Sequence, residues 1–234
     1  MSRKKPDIEE RERTILDAAA ELILRQGYDR TTLGDVAGEA GVSRGVVYLH
    51  YANKEALFEA LLFREVRSYQ SAWLRALETR ADGGTIAGVF HAVIQAVNQT
   101  PFIAALLRQD RRVFGSYLRK PDNLFAAVQT DALWVELIEA MQAAGAIRKD
   151  ISPRVFAHVM TSLALGLVLN EGTPHGSATP ELEEILETTA LMIDRTLAPE
   201  GAGNPEAGRS IIQRMARESE ALFASFRKKS QLEA

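Results

Sequence analysis

Arg44, His50 and Lys54 fall inside a window, Gly41 to Lys54, that holds no acidic residue. Acids are frequent on both sides, with Asp29, Asp35 and Glu39 before it and Glu55, Glu59 and Glu65 after it. Donors and positive charge without competing carboxylates suit a surface that faces phosphate groups. The whole chain gives no such signal: 28 Lys and Arg against 31 Asp and Glu leave a net charge of −3. That balance argues against binding nucleic acid through bulk positive charge. A short acid-free window also arises by chance, so its meaning depends on the elements that carry it.

Those elements read as two short helices joined by a tight turn, over Leu33 to Tyr51, LGDVAGEAGVSRGVVYLHY. Ala37 falls mid-way along the first helix, where a close helix crossing leaves room for little more than a methyl group. Gly41 falls where that helix must end, and a residue without Cβ takes the left-handed turn. Ser43 is placed to cap the second helix by accepting a backbone N–H near Gly45 or Val46. Val36, Ala40, Val42 and Val47 supply apolar packing between the two. This is the helix-turn-helix pattern, which lays a second helix in the DNA major groove.

The remainder of the chain is helical in period, with no convincing alternating strand. A first helix is expected from about Asp7, after Pro6, to Gln26, with Ile15, Ala18, Ala19, Leu22 and Ile23 as its apolar stripe and Gly27 as its stop. Thr32 is expected to cap the next helix, with Asp35 completing a capping box. Asn53 caps a long fourth helix that continues through Leu61, Val66 and Trp73. Further helices are expected at 85–98, 101–117, 122–145, 153–170 and 181–197, with a loop at 170–180. A linker-like stretch, APEGAGNPEAG, precedes a last amphipathic helix at about 209–229.

At 234 residues, 46% hydrophobic and 25% charged, the composition is that of an ordinary globular chain. The absence of cysteine excludes disulfides, thiolate metal sites and thiol nucleophiles. No apolar run approaches the ~20 residues that span a bilayer. The N-terminal Met-Ser-Arg-Lys-Lys-Pro has no apolar stretch behind it, so a cytoplasmic location without membrane association is expected. None of His50, His91, His158 or His175 has Glu or Asp three residues before it, so helical di-metal chemistry has no ligand pairs. Phosphate-loop, nucleophile-elbow and dinucleotide fingerprints are missing as well. An enzyme is not expected, nor is a cofactor or a metal.

Residues 10–64 resemble the DNA-binding domain of the TetR family of bacterial transcriptional repressors. The resemblance is carried by Ile15-Leu16-Asp17-Ala18-Ala19, Gly27-Tyr28, Thr31-Thr32-Leu33, Val36-Ala37 and Gly41-Val42-Ser43. It continues without a gap through Val47-Tyr48-Leu49-His50-Tyr51 and Asn53-Lys54-Glu55-Ala56-Leu57. It implies an all-α protein with an N-terminal three-helix helix-turn-helix domain followed by a larger helical ligand-binding and dimerisation bundle. The chain then divides into an N-terminal arm at 1–9, the DNA-binding domain at 10–64, the bundle at 65–198, and a linker with the C-terminal helix at 199–234.

Roles follow from the matched positions. Thr32, Ser43, Arg44, Gly45, Val46, Tyr48, Leu49, His50 and Lys54 are the implied DNA-binding residues. Arg44 is the candidate base reader, since its guanidinium donates twice to the O6 and N7 of guanine. Tyr48 is read as a phosphate donor, and His50 either as another or as packing at the end of its helix. Lys54 and the N–H groups beginning its helix are read as a phosphate clamp, with Thr32 acting similarly across the groove. Val46 offers apolar contact, for example to a thymine methyl. Arg3, Lys4 and Lys5 form either a minor-groove arm or a solvated tail.

The implied partners are a double-stranded operator, a small-molecule effector and a second copy of the chain. Phe90, Ile94, Phe102, Leu106, Phe114, Trp134, Leu137 and Met141 are candidates to line an apolar ligand cavity, or else are simply core. His91, Arg108, Tyr117 and His158 are the polar candidates to orient an apolar or anionic effector. Dimerisation is expected through the helices at 153–170 and 181–197, using Ala157, Thr161, Ala164 and Leu165 on one and Ala190, Ile193 and Leu197 on the other. The function implied is a ligand-responsive repressor released from a palindromic operator. The alternative is a DNA-binding regulator whose bundle only dimerises or binds a protein partner.

Overall fold

The computed structural model describes residues 5–120, 130–169, 180–199, 204 and 206–218. No strand occurs among the described residues, and no single helix there is long and apolar enough to cross a membrane. The chain forms two compact units. The first gathers the described residues up to Arg67 together with 105–120, and the second those of 68–104 and from 130 to 218. The segment 105–120, assigned by sequence to the larger bundle, therefore clusters with the helix-turn-helix.

In the first unit α1 (Lys5–Gln26) buries Ile15, Ala19, Leu22 and Ile23 at helical spacing along one face. Gly27 ends it at φ 89°, a conformation that favours glycine. The capping box opens α2 (Leu33–Glu39): the Thr32 hydroxyl accepts from Asp35 N at 3.1 Å, and the Asp35 carboxylate accepts from Thr32 N at 2.9 Å. After Gly41 at φ 65°, Ser43 Oγ accepts from Val46 N at 3.4 Å and starts α3 (Arg44–His50). Asn53 Oδ1 accepts from Ala56 N at 2.9 Å and starts α4 (Lys54–Thr79). Val36 and Val47 are fully buried between α2 and α3, whereas Ala40 and Val42 remain half-buried.

The single helix expected at 101–117 is broken. α6 (Pro101–Leu107) stops before Gln109, which takes φ 49°. Asp110 then caps α7 (Arg111–Phe114), its carboxylate accepting from Arg112 N at 2.8 Å. Gly115, at φ 48°, leads into a 3₁₀ turn at Gly115–Arg119. Asp110 offers the backbone a cap in place of a continuing helix, and this competition breaks the element.

In the second unit α5 (Ile86–Asn98) is the most enclosed helix, with Thr85 Oγ1 accepting from Gly88 N at 3.0 Å to cap it. It packs on α9 (Pro153–Leu169) and α10 (Leu182–Leu197), while α9 also packs on α8 (Thr130–Ala143). Residues 206–218 form α11, which begins before the expected 209. It folds back on its own unit: Arg209 donates to the carbonyls of Arg80 and Ala81 at 3.2 and 3.1 Å, and Gln70 Nε2 donates to the Ala216 carbonyl at 3.3 Å. Residues 1–4, the start of the 122–145 helix, the 170–179 loop and positions 219–229 of the last helix lie outside the described residues.

Part of the dimer stripe named from sequence needs correction, while Thr161, Ala164 and Leu165 are half-buried. Ala157, Ala190, Ile193 and Leu197 are buried inside their own unit, because a helix's most apolar face goes to its own core first. The apolar side chains left outward are Val155, Val159 and Leu163 on α9 and Leu191 and Met192 on α10.

Candidate nucleic-acid interface

One side of α3 packs inward through Val47, and Tyr51 just beyond it is buried too. The opposite side presents Arg44, Gly45, Tyr48 and Leu49 to solvent, with Val46 and His50 half-buried at its edges. Leu49 is 87% exposed and Tyr48 58%, unusual for large apolar or aromatic side chains on a rigid, capped helix. Ser43 and Thr32 both serve as caps here. The Thr32 hydroxyl also donates to Asp35 at 2.7 Å, and this holds the Asp35 carboxyl below its ordinary range.

Arg44 lies flat over α2. A Cβ placed on Gly34 would sit 2.7, 2.8 and 2.9 Å from Nη2, Nε and Cζ of the Arg44 guanidinium. Among the described residues no hydrogen bond or ion pair engages that group.

Lys54 corrects the sequence expectation. Its ammonium donates to the Tyr28 carbonyl at 2.9 Å and to that of Asp29 at 3.4 Å, and stands 4.2 Å from the centre of the Tyr28 ring. The loop after α1 presents two carbonyls and an aromatic face to one cation, and these hold the charge inside the unit. The N–H groups beginning α4 are what this position still offers to a phosphate.

That same loop is clamped by the 111–119 segment. Tyr28 N donates to the Val113 carbonyl at 2.7 Å. The Asp29 carboxylate accepts from Ser116 N at 3.1 Å and from the Ser116 hydroxyl, which, with Lys54 and Arg119 nearby, holds its carboxyl below the usual carboxylate range. Lys120 pairs with Glu55. Tyr117 and Phe114 meet Phe58 at ring distances of 4.5 and 6.0 Å, and Tyr28 meets Phe58 at 4.7 Å.

The clamp divides the candidate ligand residues. Phe114 and Tyr117 are not cavity lining; their rings complete the aromatic core of the DNA-binding unit, to which Leu106 and Arg108 also belong. Phe90, His91, Ile94, Phe102, Trp134, Leu137 and Met141 are buried in the second unit. His158 points outward from α9, away from that core. His91 is 1% exposed; its Nε2 lies 3.3 Å from Glu183 without hydrogen-bond alignment, and Nδ1 has no partner among the described residues. Sequence reading missed the acids around it. Asp82 is held low by Arg80, and Asp194 is pushed up by burial and by Asp82. No described group of His, Asp and Glu converges in a way that could hold a metal ion.

Two capped helices meeting through Val36, Ala37 and Val47, the second presenting a row of exposed side chains, define a helix-turn-helix DNA-binding unit. Residues 15–61 match the family described as bacterial regulatory proteins, tetR family. That match makes residues 15–61 a TetR-family DNA-binding domain. The HTH-type transcriptional regulator TtgR of Pseudomonas putida is 43% identical over 60 residues, 26% of this chain and 29% of that protein. The match thus spans under a third of that relative's length. The HTH-type transcriptional repressor AcnR of Corynebacterium jeikeium is 27% identical over 168 residues, 69% of this chain and 82% of that one. Among solved structures, NalD, the secondary repressor of the MexAB-OprM efflux pump in Pseudomonas aeruginosa, superposes with a TM-score of 0.57 at 22% identity, covering 82% of this chain and 99% of that one. These likenesses give the fold over most of the chain and the family of its first domain.

Proposed function

We propose that this protein is a homodimeric transcriptional repressor that binds a palindromic operator and is released by a small apolar or anionic effector. The observation that carries the reading is the exposed face of α3, where Arg44, Tyr48 and Leu49 stand outward on a helix fixed at its start by Ser43. Arg44 reads a guanine with its guanidinium donors, Leu49 and Val46 meet thymine methyl groups, and Tyr48 and His50 hold phosphate. Two copies joined through the outward apolar side chains of α9 and α10 present two such helices, and their two-fold symmetry sets the operator's symmetry.

The effector reading draws support from His91, a buried imidazole whose Nδ1 has no hydrogen-bond partner among the described residues. A ligand in that unit acts on DNA affinity only so far as it favours one of two dimer states. α4 carries chain from one unit into the other, its residues to Arg67 belonging to the first and the rest to the second.

Selection of bound duplexes from a random pool tests the reading. An inverted repeat with half-site centres ~34–36 Å apart or a multiple of that is expected. Recovery of no preferred sequence sinks it. The effector arm is tested by melting the protein against acyl-chain and aromatic acids, where a ligand at ~100 Kd adds ~2.7 kcal/mol.

A further inference from the structure

Gly34 stands at the second position of α2, where a glycine costs helix stability and its backbone needs no left-handed conformation. Alanine would suit the helix better. What glycine supplies is space, and one side chain uses it. Three atoms of the Arg44 guanidinium lie at nearly equal distance, 2.7–2.9 Å, from where a Cβ would be, so the group rests face-on against the bare Cα. By contrast, nothing lies within 4 Å of the corresponding point on Gly38, one turn further along α2.

The position is electrostatically particular. The start of α2 carries the positive end of a helix dipole, an unfavourable neighbour for a guanidinium. Asp35, fixed by the capping box beside Gly34, supplies the compensating negative charge. The result is a cation held by shape and by a diffuse field, with no hydrogen bond among the described residues using up its fork. A side chain in that condition meets a base edge pre-placed, since little rotamer freedom is left to lose on binding.

We propose that Gly34 is a specificity-determining positioning residue: its bare Cα is the shelf that sets the height and direction of Arg44 over the DNA. The proposal rests on the reading of Arg44 as a base contact. The atoms nearest a methyl group at 34 are the far end of a flexible side chain, so the fold accommodates it and Arg44 gives way. Folding and base reading therefore separate at this one position.

The test uses the full-length protein, the duplex that the wild type selects from a random pool, and a scrambled duplex of equal length. G34A is expected to leave the melting temperature unchanged or raise it by up to ~3 °C. It should weaken binding to the selected duplex about 5- to 10-fold while leaving the scrambled duplex and the salt slope unaffected. R44A should weaken selected binding at least roughly 5- to 150-fold, the equivalent of the about 1–3 kcal/mol that one bidentate base contact contributes, since the dimer loses one in each half-site. In the R44A background G34A should have no further effect. Wild-type affinity and discrimination in G34A, with R44A impaired, overturns the shelf alone. An undiminished effect of G34A on top of R44A overturns it too, because Gly34 would then act without Arg44. A lowered melting temperature in G34A overturns the premise that only a movable side chain fills the space. Wild-type binding by R44A removes the base-contact reading and the shelf with it.

Discussion

Lys54 had two duties open to it at the start of α4, and its ammonium takes the internal one, on the Tyr28 carbonyl and ring. Lys54→Ala is therefore expected to destabilise the protein by roughly 2 kcal/mol, the scale of a charge-assisted hydrogen bond. Denaturant unfolding would register the loss, and the salt slope of DNA binding should stay at the wild-type value. A slope reduced by about one would return Lys54 to the phosphate contacts. Asp194 gives the opposite case. Burial and Asp82 raise its carboxyl above the unfolded value, so at neutral pH folding holds a charge it disfavours. Asp194→Asn should raise the melting temperature slightly at pH 7. The gain should be complete above the raised pKa and vanish below the ordinary carboxylate value of about 3.9, where both residues are neutral. Melting curves at pH 7 and pH 3.5 decide it. Caps such as Thr32, Ser43 and Asn53 were legible in sequence because a cap needs only its own helix. The partners of Lys54 were not, since they lie 25 and 26 residues away in a loop whose path no local pattern specifies.

At the scale of elements, the 111–119 segment is the least legible part of the fold. Its apolar residues, Val113, Phe114 and Tyr117, carry a helical period that suits a bundle helix, and periodicity does not say which neighbour covers a face. The signals that mattered were Asp110, which caps, and Gly115, which at φ 48° and ψ −124° takes a conformation that favours glycine. A Cβ at Gly115 would sit 2.2 Å from the Asp29 carboxylate, and Gly115 holds φ 48°. Gly115→Ala thus meets both a steric and a backbone obstacle, and should cost about 2–3 kcal/mol in equilibrium unfolding. The pH dependence of the clamp follows from Asp29. Its pKa is lowered, so its contribution is complete above the unfolded carboxylate value and disappears as pH falls through the lowered one. Wild-type and Asp29→Ala stabilities should differ at pH 7 and converge in strong acid. A constant difference across that range would show that Asp29 acts by packing alone.

For the molecule as a whole, the exposed Val155, Val159, Leu163, Leu191 and Met192 form the test of assembly. Replacing Leu191 and Val159 by Glu puts charge where the dimer reading needs a dry contact, so sedimentation should find monomers that keep the wild-type helix content. Operator affinity should fall at least 10-fold, since each half-site then binds alone. A dimer that survives both changes would place the interface elsewhere. All-helical architecture was readable from period and caps over most of the described chain. The outward faces of α9 and α10 were not, because apolar residues in excess of one core face look alike until the core has taken its share.

The return of α11 onto Gln70, Arg80 and Ala81 joins groups as many as 146 residues apart. The helix-turn-helix unit likewise lacks part of its aromatic core until Phe114 and Tyr117 are present. On the ribosome, neither unit can finish folding in the order in which it is made. The helix-turn-helix emerges early but stays incomplete until Phe114 and Tyr117 have been made, near the middle of the chain, and the second unit waits for one of the last described helices. Nascent chains arrested before 111 should be digested by protease even where α1 to α4 are fully extruded, and those carried past 218 should resist it.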